Sequence, residues 1–369
     1  MSPKITRRIS VISGDGIGPE VIGEGLKILS KVSRRLKTRL EFKNYDIGAQ
    51  RYLKTGETLT DKELDSISAS DAIYLGAVGD PRVKPGILER DVLLKLRFEL
   101  DLYINLRPCI LMEGAFTPLK DKTPQDINFV VVRENSESVY SGVGGVFRRG
   151  TPYETALQED INTRHGVDRI LDYAFKYCAK RKNRKMLTLV DKANVLVHAH
   201  GLWRRAFEEM GENYPDIKRH ALFVDAAAMD FVRKPEVFDV VVTNNLFGDI
   251  LTDLGAIVSG GVGMAASANL NDSSISDLPR KGQKCRGLFE PIHGSAPDIA
   301  GRGLANPIAA ILAAKMMLDS FGETRAASAI EKAVKSTVAH GNIFKKNSAD
   351  LAVSTSEVGD RVASFITYY

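Results

Sequence analysis

The chain has 369 residues, of which 44% are hydrophobic and 26% are charged. This length and composition exclude a disordered chain and favour two globular lobes over one compact core. The net charge is +5, but the basic residues are spread along the chain, so we expect no nucleic-acid partner.

Strands and helices are predicted to alternate along the chain. Apolar runs of strand length lie at residues 9–12, 72–75, 129–132, 187–190, 221–224 and 240–242. Amphipathic helices are predicted between them, most clearly over residues 19–36 and 163–181. This order is typical of an α/β protein with largely parallel sheets. Residues 269–286, rich in Ser, Asp, Lys and Gly, are expected to form a long exposed loop.

The cysteine content and the hydropathy indicate the cellular compartment of the protein. Cys109, Cys178 and Cys285 are odd in number and widely spaced, which fits neither a disulfide framework nor a paired metal motif. They indicate a reducing compartment. No apolar stretch approaches the roughly 18 residues that a membrane-spanning helix needs. We therefore expect a cytoplasmic protein that does not bind membranes.

A glycine turn, Gly14-Asp15-Gly16-Ile17-Gly18-Pro19-Glu20, follows the first predicted strand. It departs from the Rossmann dinucleotide fingerprint, because that motif needs a third glycine where this chain has Pro19. The fold is therefore not expected to be a Rossmann fold. The turn is either a tight structural turn or a direct cofactor contact, and the sequence leaves both interpretations open.

Two longer motifs lie further along the chain. They are Asn-Asn-Leu-Phe-Gly-Asp-Ile-Leu-Thr-Asp at 244–253 and Glu-Pro-Ile-His-Gly-Ser-Ala-Pro-Asp-Ile-Ala-Gly at 290–301. With the glycine turn and residues 75–81, they resemble the β-decarboxylating dehydrogenases, which include isopropylmalate, isocitrate, homoisocitrate and tartrate dehydrogenases. The resemblance covers nearly the whole chain. It implies a cofactor-binding lobe from residues 1–102 and 260–369, a second lobe from 103–259, and a homodimer with shared active sites.

Asp249 and Asp253 lie four residues apart in a helical segment, so their carboxylates share one face. Such a pair suits a hard cation, but acids also complement the dipole at a helix N-terminus. Asp225 follows a predicted strand, at the end where α/β sheets bind ligands. The resemblance implies that all three bind Mg²⁺ or Mn²⁺, with Asp225 supplied by the partner subunit and also contacting the substrate.

Two further residues suit acid–base chemistry. Oxidation of a hydroxyl needs a base and decarboxylation needs a proton donor, roles that a lysine near a cation and a tyrosine can fill. The resemblance implies that Lys192 of the partner subunit is the base and that Tyr140 is the acid. Ser138 stands where family members often have glycine, which leaves the backbone geometry beside Tyr140 open.

A dicarboxylate substrate requires planar cationic groups, and the resemblance implies that Arg97, Arg107 and Arg133 hold its carboxylates. Leu93 and Leu94 precede Arg97 by four and three residues, so they share its helical face. They form either part of a helix core or a pocket for a branched alkyl group beside a carboxylate. Isocitrate-type members carry polar residues here and homoisocitrate-type members tend to carry arginine. The resemblance therefore favours the alkyl pocket.

The last motif follows a predicted strand end at residues 289–290, and its small residues allow a nucleotide to approach the backbone. The resemblance implies a cofactor site made of Glu89, Glu290, His293, Gly294, Ser295, Ala296, Asp298 and Asn306. The Asp298 carboxylate can accept hydrogen bonds from the ribose hydroxyls of NAD and would repel the 2′-phosphate of NADP. The expected cofactor is therefore NAD.

Together these residues predict an NAD-dependent, metal-assisted enzyme that oxidatively decarboxylates a 2-hydroxy dicarboxylic acid. The favoured substrate is 3-isopropylmalate, and homoisocitrate and D-malate or tartrate remain open as alternatives for the same machinery. A catalytically silent regulatory subunit is an alternative of another class. Such a chain would be expected to lack part of the base, acid or metal set, which is complete here.

Overall fold

The computed structural model describes residues 5–33, 36–181, 183–272 and 282–366. The strands are β1 (Ile5–Gly14), β2 (Thr38–Asn44), β3 (Ala72–Ala77), β4 (Ile104–Ile110), β5 (Asn128–Glu134), β6 (Gly144–Phe147), β7 (Thr155–Gln158), β8 (Met186–Asp191), β9 (Lys218–Phe223), β10 (Val240–Thr243), β11 (Ala266–Leu270) and β12 (Gly287–Pro291). The α-helices are α1 (Gly18–Ser33), α2 (Ala49–Thr55), α3 (Asp61–Ser68), α4 (Lys95–Glu99), α5 (Arg164–Lys180), α6 (Val197–Gly211), α7 (Val224–Arg233), α8 (Asn245–Val258), α9 (Ile308–Ser320), α10 (Thr324–His340) and α11 (Thr355–Phe365).

One sheet runs through the described part of the chain, with ten strands in the order β2-β1-β3-β12-β11-β4-β5-β10-β8-β9. Neighbouring strands are parallel on both flanks and antiparallel only where β11 and β4 join the flanks. The predicted α/β class with largely parallel strands is confirmed. Strands from both chain ends, β1 to β3 and β12, are neighbours in one flank. The exact lobe boundaries stay a prediction.

Side chains alternate between the two faces of the sheet, and helices cover both faces. In β5, Val130 and Val132 contribute to one core cluster, whereas Val131 contributes to another. The first cluster packs under α1, α5, α6, α9, α10 and α11, and the opposite face packs under α3, α4, α7 and α8. Arg107 pairs with Val131 in register, so it points toward the face that α8 covers.

Some predicted boundaries are wrong by a few residues. The strand expected over 221–224 ends at Phe223, because Val224 already begins α7. The helix expected over 19–36 ends at Ser33, and residues 34 and 35 lie outside the described part of the chain. The helix expected over 163–181 is α5, with Thr163 as its N-cap.

The prediction of an exposed loop over 269–286 is wrong at both ends of that segment. Asn269 lies in β11 and is completely buried, as is Cys285 near the start of β12. The physical reason is that β11 and β12 form an antiparallel pair inside the sheet. The residues at both ends of the segment that connects them are therefore buried with these strands. The centre of the segment, residues 273–281, lies outside the described residues.

The three cysteines are buried with free thiols. Burial raises the pKa of Cys109, Cys178 and Cys285 to about 12, so these thiols are poor nucleophiles. In the described ranges, the helices are too short or too polar for any of them to cross a membrane.

Helix α1 lies close against β3 at Gly25. A methyl group on Gly25 would lie 1.7 Å from the hydroxyl of Tyr74. Tyr74 is completely buried and donates a hydrogen bond of 2.8 Å to the Ala310 carbonyl, so it has little freedom to move. Gly23, two residues earlier in the same helix, is exposed, and a methyl group there would meet nothing within 4 Å.

These two glycines make a matched stability test. We expect Gly25→Ala to lower the free energy of unfolding by roughly 1–3 kcal/mol, because the new methyl group overpacks the contact with Tyr74. Gly23→Ala should instead raise it by about 0.5–1 kcal/mol, through better helix propensity. Urea denaturation of both variants gives the comparison. Equal stabilisation by the two substitutions would contradict the packing of α1 on Tyr74.

Candidate active site

Three predicted arginines meet around one acidic helix. Arg97 lies in α4, Arg107 in β4 and Arg133 in β5, and all three are buried. Asp249 and Asp253 lie one turn apart in α8, with side chains 40% and 68% exposed. The structure therefore brings together the predicted substrate clamp and two of the three predicted metal ligands.

Arg133 is the most deeply buried of these arginines, and its side-chain hydrogen bonds go to α8. Its Nε donates to Asn245 Oδ1 at 2.9 Å, and its guanidinium pairs with Asp249. Gly248 makes this approach possible, because a Cβ there would lie 2.5 Å from Arg133 Cγ. Burial, with the nearby Arg107, lowers the pKa of Arg133 to about 10. Arg133 is therefore still charged at neutral pH and held in one place.

The other two arginines keep longer contacts with carboxylates. Arg107 donates to Thr252 Oγ1 at 2.5 Å and lies 3.6 Å from an oxygen of each aspartate of α8. Arg97 Nη2 lies 3.4 Å from Glu290 Oε1, which joins α4 to the end of β12. These guanidinium groups can still form short, paired hydrogen bonds with the carboxylates of a ligand.

The two aspartates of α8 experience opposite electrostatic effects. Burial alone would raise the pKa of Asp249, but Arg133 and Arg107 outweigh it, so that pKa is lowered. Burial raises the pKa of Asp253, Arg107 offsets only part of this, and the charge of Asp249 adds to it. A hard divalent cation prefers such carboxylate oxygens and would relieve the repulsion between them. The pair therefore fits the metal that the sequence implies.

Tyr140 reaches the same cluster from the 3-10 turn Val139–Ser141, which follows β5. Its hydroxyl donates to Asp249 Oδ2 at 2.7 Å, and Arg133 Cζ lies 5.3 Å from its ring centre. Burial, and then the hydrogen bond to Asp249, raises the pKa of Tyr140. Tyr140 therefore keeps its proton near neutral pH and can donate it to a bound molecule.

The backbone beside Tyr140 adopts an uncommon conformation. Ser138 has φ +67° and ψ −155°, a region that is almost confined to glycine and costs other residues about 1–3 kcal/mol. Its Oγ donates to Asp160 Oδ1 at 2.6 Å, and its N–H donates to the Ile161 carbonyl at 2.7 Å. These hydrogen bonds hold a serine in a backbone conformation that suits glycine.

Lys192 and Asp225 form a separate pair, with Lys192 Nζ 2.5 Å from Asp225 Oδ1. Lys192 follows β8, and Asp225 lies in the first turn of α7 with its side chain 61% exposed. Over the described residues, no set of three or more His, Cys, Asp or Glu side chains is placed to hold a metal ion. One chain therefore brings together two of the three predicted metal ligands, and Asp225 lies elsewhere on its surface.

The predicted cofactor residues lie mainly on the loop after β12. His293 Nε2 is buried without a hydrogen-bond partner, while Nδ1 lies 3.0 Å from the Gly294 carbonyl. Burial lowers the pKa of His293, which favours a neutral ring. A methyl group on Gly294 would meet nothing within 4 Å, and Ala296 has φ +39°. An unpaired buried nitrogen beside an open backbone fits a loop that contacts a nucleotide.

The glycine turn after β1 supports this loop. A Cβ on Gly16, whose φ is +57°, would lie 1.9 Å from the Ser295 carbonyl oxygen. The same carbonyl accepts a hydrogen bond from the Ile17 N–H at 2.9 Å. Of the two interpretations that the sequence left open, these contacts support the structural turn, because the glycines are needed for packing against the loop.

The remaining predicted cofactor residues lie around that loop. Asp298 is exposed, and its carbonyl accepts a hydrogen bond of 3.4 Å from Arg302. Asn306 precedes α9, and its Nδ2 lies 3.4 Å from the sulfur of Met264. Glu89 is exposed at the start of the π-helical turn Glu89–Leu94, which precedes Arg97 in the chain.

Leu93 and Leu94 lie in this π-helical turn rather than in a regular α-helix. Val92 and Leu96 beside them are completely buried, whereas Leu93 and Leu94 are only partly buried. Leu93 packs partly against the core cluster. Both leucines therefore keep part of their apolar surface uncovered within the chain. π-Helical turns are frequent at functional sites.

Sequence reasoning assigned no role to several polar residues that the structure places in the site. Asn245 and Thr252 contact Arg133 and Arg107, and Asn245 could have been found because it lies four residues before Asp249 on the same face. His200 Nδ1 accepts the Lys192 N–H at 2.8 Å. No local pattern in the sequence indicates that contact.

Comparison with known proteins gives one consistent family. The model of the isocitrate/isopropylmalate dehydrogenase family matches residues 8–362. A 3-isopropylmalate dehydrogenase of Thermobifida fusca is 50% identical over 358 residues, covering 97% of this chain and 97% of that protein. One of Corynebacterium efficiens is 48% identical over 360 residues, covering 97% and 99%. The crystal structure of isocitrate dehydrogenase from Methylococcus capsulatus matches with a TM-score of 0.84 and 36% identity, covering 98% and 99%.

The opposite pKa shifts of the two aspartates predict opposite effects of neutralising them. The lowered pKa of Asp249 means that its charge stabilises the fold above the unfolded pKa, and this contribution is lost as pH falls through the folded pKa. At pH 7 without divalent cations, Asp249→Asn should lower the free energy of unfolding by roughly 1 kcal/mol. The effect is smaller than for a fully buried ion pair, because solvent screens the partly exposed Asp249 carboxylate.

Asp253→Asn is the matched control for this measurement. The raised pKa of Asp253 means that its charge opposes folding near neutral pH, so its removal should leave the free energy of unfolding unchanged or slightly higher. Urea denaturation of both variants in the presence of a chelator measures the difference. A larger loss for Asp253→Asn than for Asp249→Asn would contradict this assignment of the charges.

Proposed function

Because the chain belongs to the isocitrate/isopropylmalate dehydrogenase family, we propose that it oxidises and decarboxylates (2R,3S)-3-isopropylmalate with NAD. The products are 4-methyl-2-oxopentanoate, CO₂ and NADH, and the reaction is a step of leucine biosynthesis. The observation that carries this proposal is the match to 3-isopropylmalate dehydrogenases at 50% identity over 97% of the chain. The enzyme is thus an oxidoreductase acting on a small molecule.

The substrate would be held by its two carboxylates and its alkyl group. Arg97, Arg107 and Arg133 would bind the carboxylates, since their guanidinium groups are buried, fixed and charged. Leu93 and Leu94 would contact the isopropyl group, because they are apolar, only partly buried and close in the chain to Arg97. An apolar pair here is poorly suited to the third carboxylate of isocitrate or homoisocitrate.

The proposed metal site consists of Asp249 and Asp253 with Asp225 of a second copy of the chain. All three are hard oxygen donors of the kind that Mg²⁺ and Mn²⁺ prefer. Bound there, the cation would polarise the hydroxyl and the adjacent carboxylate of the substrate. Asp225 would also face the substrate, since its position in the first turn of α7 leaves the carboxylate exposed.

Two side chains would move protons. Lys192 of a second copy, as the neutral amine, would accept the hydroxyl proton at Nζ while the hydride leaves for NAD, and its contact with Asp225 orients that nitrogen. Tyr140 would then give its phenolic proton to the carbon that loses CO₂. Its raised pKa keeps that proton in place until the carbon requires it.

The cofactor would bind along the loop after β12. The proposed contacts are His293, Gly294, Ser295, Ala296, Asp298 and Asn306 on the adenosine side, with Glu89 and Glu290 toward the nicotinamide. The exposed carboxylate of Asp298 would favour NAD over NADP by charge repulsion. We also propose a cytoplasmic location, which the three free buried thiols support.

A homodimer would complete each active site. Four large apolar side chains on the outer surface of α7 and α8 are 45% to 60% exposed: Met229, Val232, Ile250 and Ile257. Such a surface is typical of an interface, and it lies on the two helices that carry Asp225 and Asp253. The two-stranded sheet of β6 and β7 is also exposed along its length, and a hairpin alone is only marginally stable.

The alternatives have less support. Homoisocitrate and D-malate or tartrate would use the same clamp and metal, but the apolar pair Leu93 and Leu94 and the match to 3-isopropylmalate dehydrogenases disfavour them. A catalytically silent regulatory subunit would be expected to lack part of the machinery. This chain has Tyr140 and Asp249 in hydrogen-bond contact and keeps Lys192, Asp225 and Asp253 as well.

The proposal is tested by following NADH formation with 3-isopropylmalate, homoisocitrate, D-malate and isocitrate, each with and without Mn²⁺. We expect kcat/KM for 3-isopropylmalate to exceed the others at least tenfold, about 1.4 kcal/mol, and a chelator to abolish activity. NADP should be at least about tenfold less efficient than NAD. If another of these acids has the highest kcat/KM, the proposed substrate is wrong. Equal kcat/KM values with NADP and NAD would overturn the role of Asp298.

The shared active site is tested with mixed dimers. Lys192→Ala and Tyr140→Phe should each be nearly inactive, because one lacks the base and the other lacks the acid. Refolded together, the mixed dimers should regain activity, since one of their two sites then receives both intact residues. Activity is measured after separation by distinct affinity tags, with each variant refolded alone as the control. Verified mixed dimers as inactive as their parents would contradict the assignment of Lys192 to the partner's site.

A further inference from the structure

A second buried cluster lies behind the residues that carry the proposed chemistry. It contains His200 in α6, which is 1% exposed, and Asp160, which lies between β7 and α5 with its side chain 19% exposed. Neither residue contacts the arginine clamp or the cofactor loop. His200 contacts the segment that carries Lys192, and Asp160 contacts the segment that carries Tyr140.

His200 holds the segment of Lys192. Its Nδ1 accepts the hydrogen bond of 2.8 Å from the Lys192 N–H, so a neutral ring must carry its proton on Nε2. That nitrogen lies 3.3 Å from Asn244 Nδ2 and 3.7 Å from Asp160 Oδ2, so its contact with the carboxylate is electrostatic and longer than a hydrogen bond. The ring of Phe247 packs edge-on against the imidazole, with 5.3 Å between ring centres. The imidazole is therefore held by the Lys192 amide at one nitrogen and faces Asn244 and the Asp160 carboxylate at the other.

Asp160 holds the segment of Tyr140 through Ser138. Its Oδ1 accepts the hydrogen bond from Ser138 Oγ, and its Oδ2 accepts one of 3.0 Å from Asn162 Nδ2. Asn162 in turn accepts a hydrogen bond of 2.8 Å from the indole N–H of Trp203. Although burial alone would raise the pKa of Asp160, the nearby His200 ring and the hydrogen bonds from Ser138 and Asn162 lower it. Asp160 therefore stays an ionised carboxylate, which accepts hydrogen bonds from Ser138 and Asn162.

We propose that Asp160 is a positioning residue, which fixes the segments of Tyr140 and Lys192 through Ser138 and His200. This inference rests on the proposed roles of Tyr140 and Lys192. Proton transfer requires each of these side chains to lie within hydrogen-bond reach of the substrate, and a small displacement of either slows the reaction strongly. A single carboxylate is thereby required for the placement of both the acid and the base.

The conformation of Ser138 supports this role. A non-glycine residue keeps such a backbone conformation only when surrounding contacts hold it, and the contacts here are those to Asp160 and Ile161. Without the Asp160 carboxylate, Ser138 can relax toward ordinary backbone angles and move Tyr140, two residues later. The clamp arginines are held by other residues, so substrate binding should be little affected.

The first test compares Asp160→Asn with Glu159→Gln, which removes the same charge from the exposed neighbouring residue. Asp160→Asn cannot accept all of the present hydrogen bonds, and we expect its kcat to fall about tenfold to a hundredfold with KM changed less than about twofold. Glu159→Gln should match the wild type. Trp203 is the chain's single tryptophan and reports on this cluster, so an unchanged emission maximum shows that Asp160→Asn is folded locally.

The second test uses His200 and Ser138. His200→Asn can still present an oxygen to the Lys192 amide and should recover most of the kcat that His200→Ala loses. Ser138→Ala combined with Asp160→Asn should be no slower than Asp160→Asn alone, because both remove the same contact. Independent, multiplying losses would overturn the shared role of Asp160.

These outcomes separate the inference from the proposed function. All measurements use the holoenzyme with the acid that the wild type oxidises best. If that acid is not 3-isopropylmalate, the proposed function is overturned, but the test of Asp160 can still be carried out. A wild type inactive with every acid would overturn both. An active wild type whose kcat survives Asp160→Asn overturns the positioning role. So does a loss in which KM rises as much as kcat falls.

Discussion

The site depends on the burial of one charged group, the guanidinium of Arg133. A buried charge without partners costs several kcal/mol, so the chain must place a carboxylate and other acceptors against it. Helix α8 supplies Asp249 and Asn245, and it can come close enough only because Gly248 has no side chain. The same carboxylate accepts the hydroxyl of Tyr140. One ion pair therefore sets the position of the helix, the clamp and the acid together.

The balance of charge follows from that constraint. The three buried arginines lie near three acids, Asp249, Asp253 and Glu290, but only Arg133 forms a short ion pair, with Asp249. Arg97 and Arg107 keep contacts of 3.4 Å and 3.6 Å with these acids, so the carboxylates of a dicarboxylate could pair with them more closely, whereas a neutral molecule could not. Asp253 is the exception, since its raised pKa shows that the arginines do not stabilise its charge enough. The site therefore combines a cationic end that suits an anion with an acidic end that suits a cation.

Sequence patterns found the elements whose side chains are apolar and missed those whose side chains are polar. The valine-rich strands β5 and β10 were predicted because they are buried on both faces. Strand β11 was missed because it contains Asn269, which is buried among other amides. Within the site, Asp249 and Asp253 were paired by their helical spacing, but His200 and Asp160 meet only through the tertiary fold, which no local pattern encodes. The chemical roles of the site residues remain proposals.

The exposed pair of Lys192 and Asp225 has a thermodynamic consequence for the proposed assembly. Burying this pair at a dimer interface removes water from both charges, and their mutual attraction repays only part of that cost. In the proposed dimer, Asp225 would approach Asp249 and Asp253, and three carboxylates would repel one another until a cation bound between them. Without a cation, the exposed apolar surface of α7 and α8 would have to supply the favourable free energy of such a dimer. A cation bound at such a shared site would stabilise the dimer, and by linkage the dimer would bind the cation more tightly than the separate chain would.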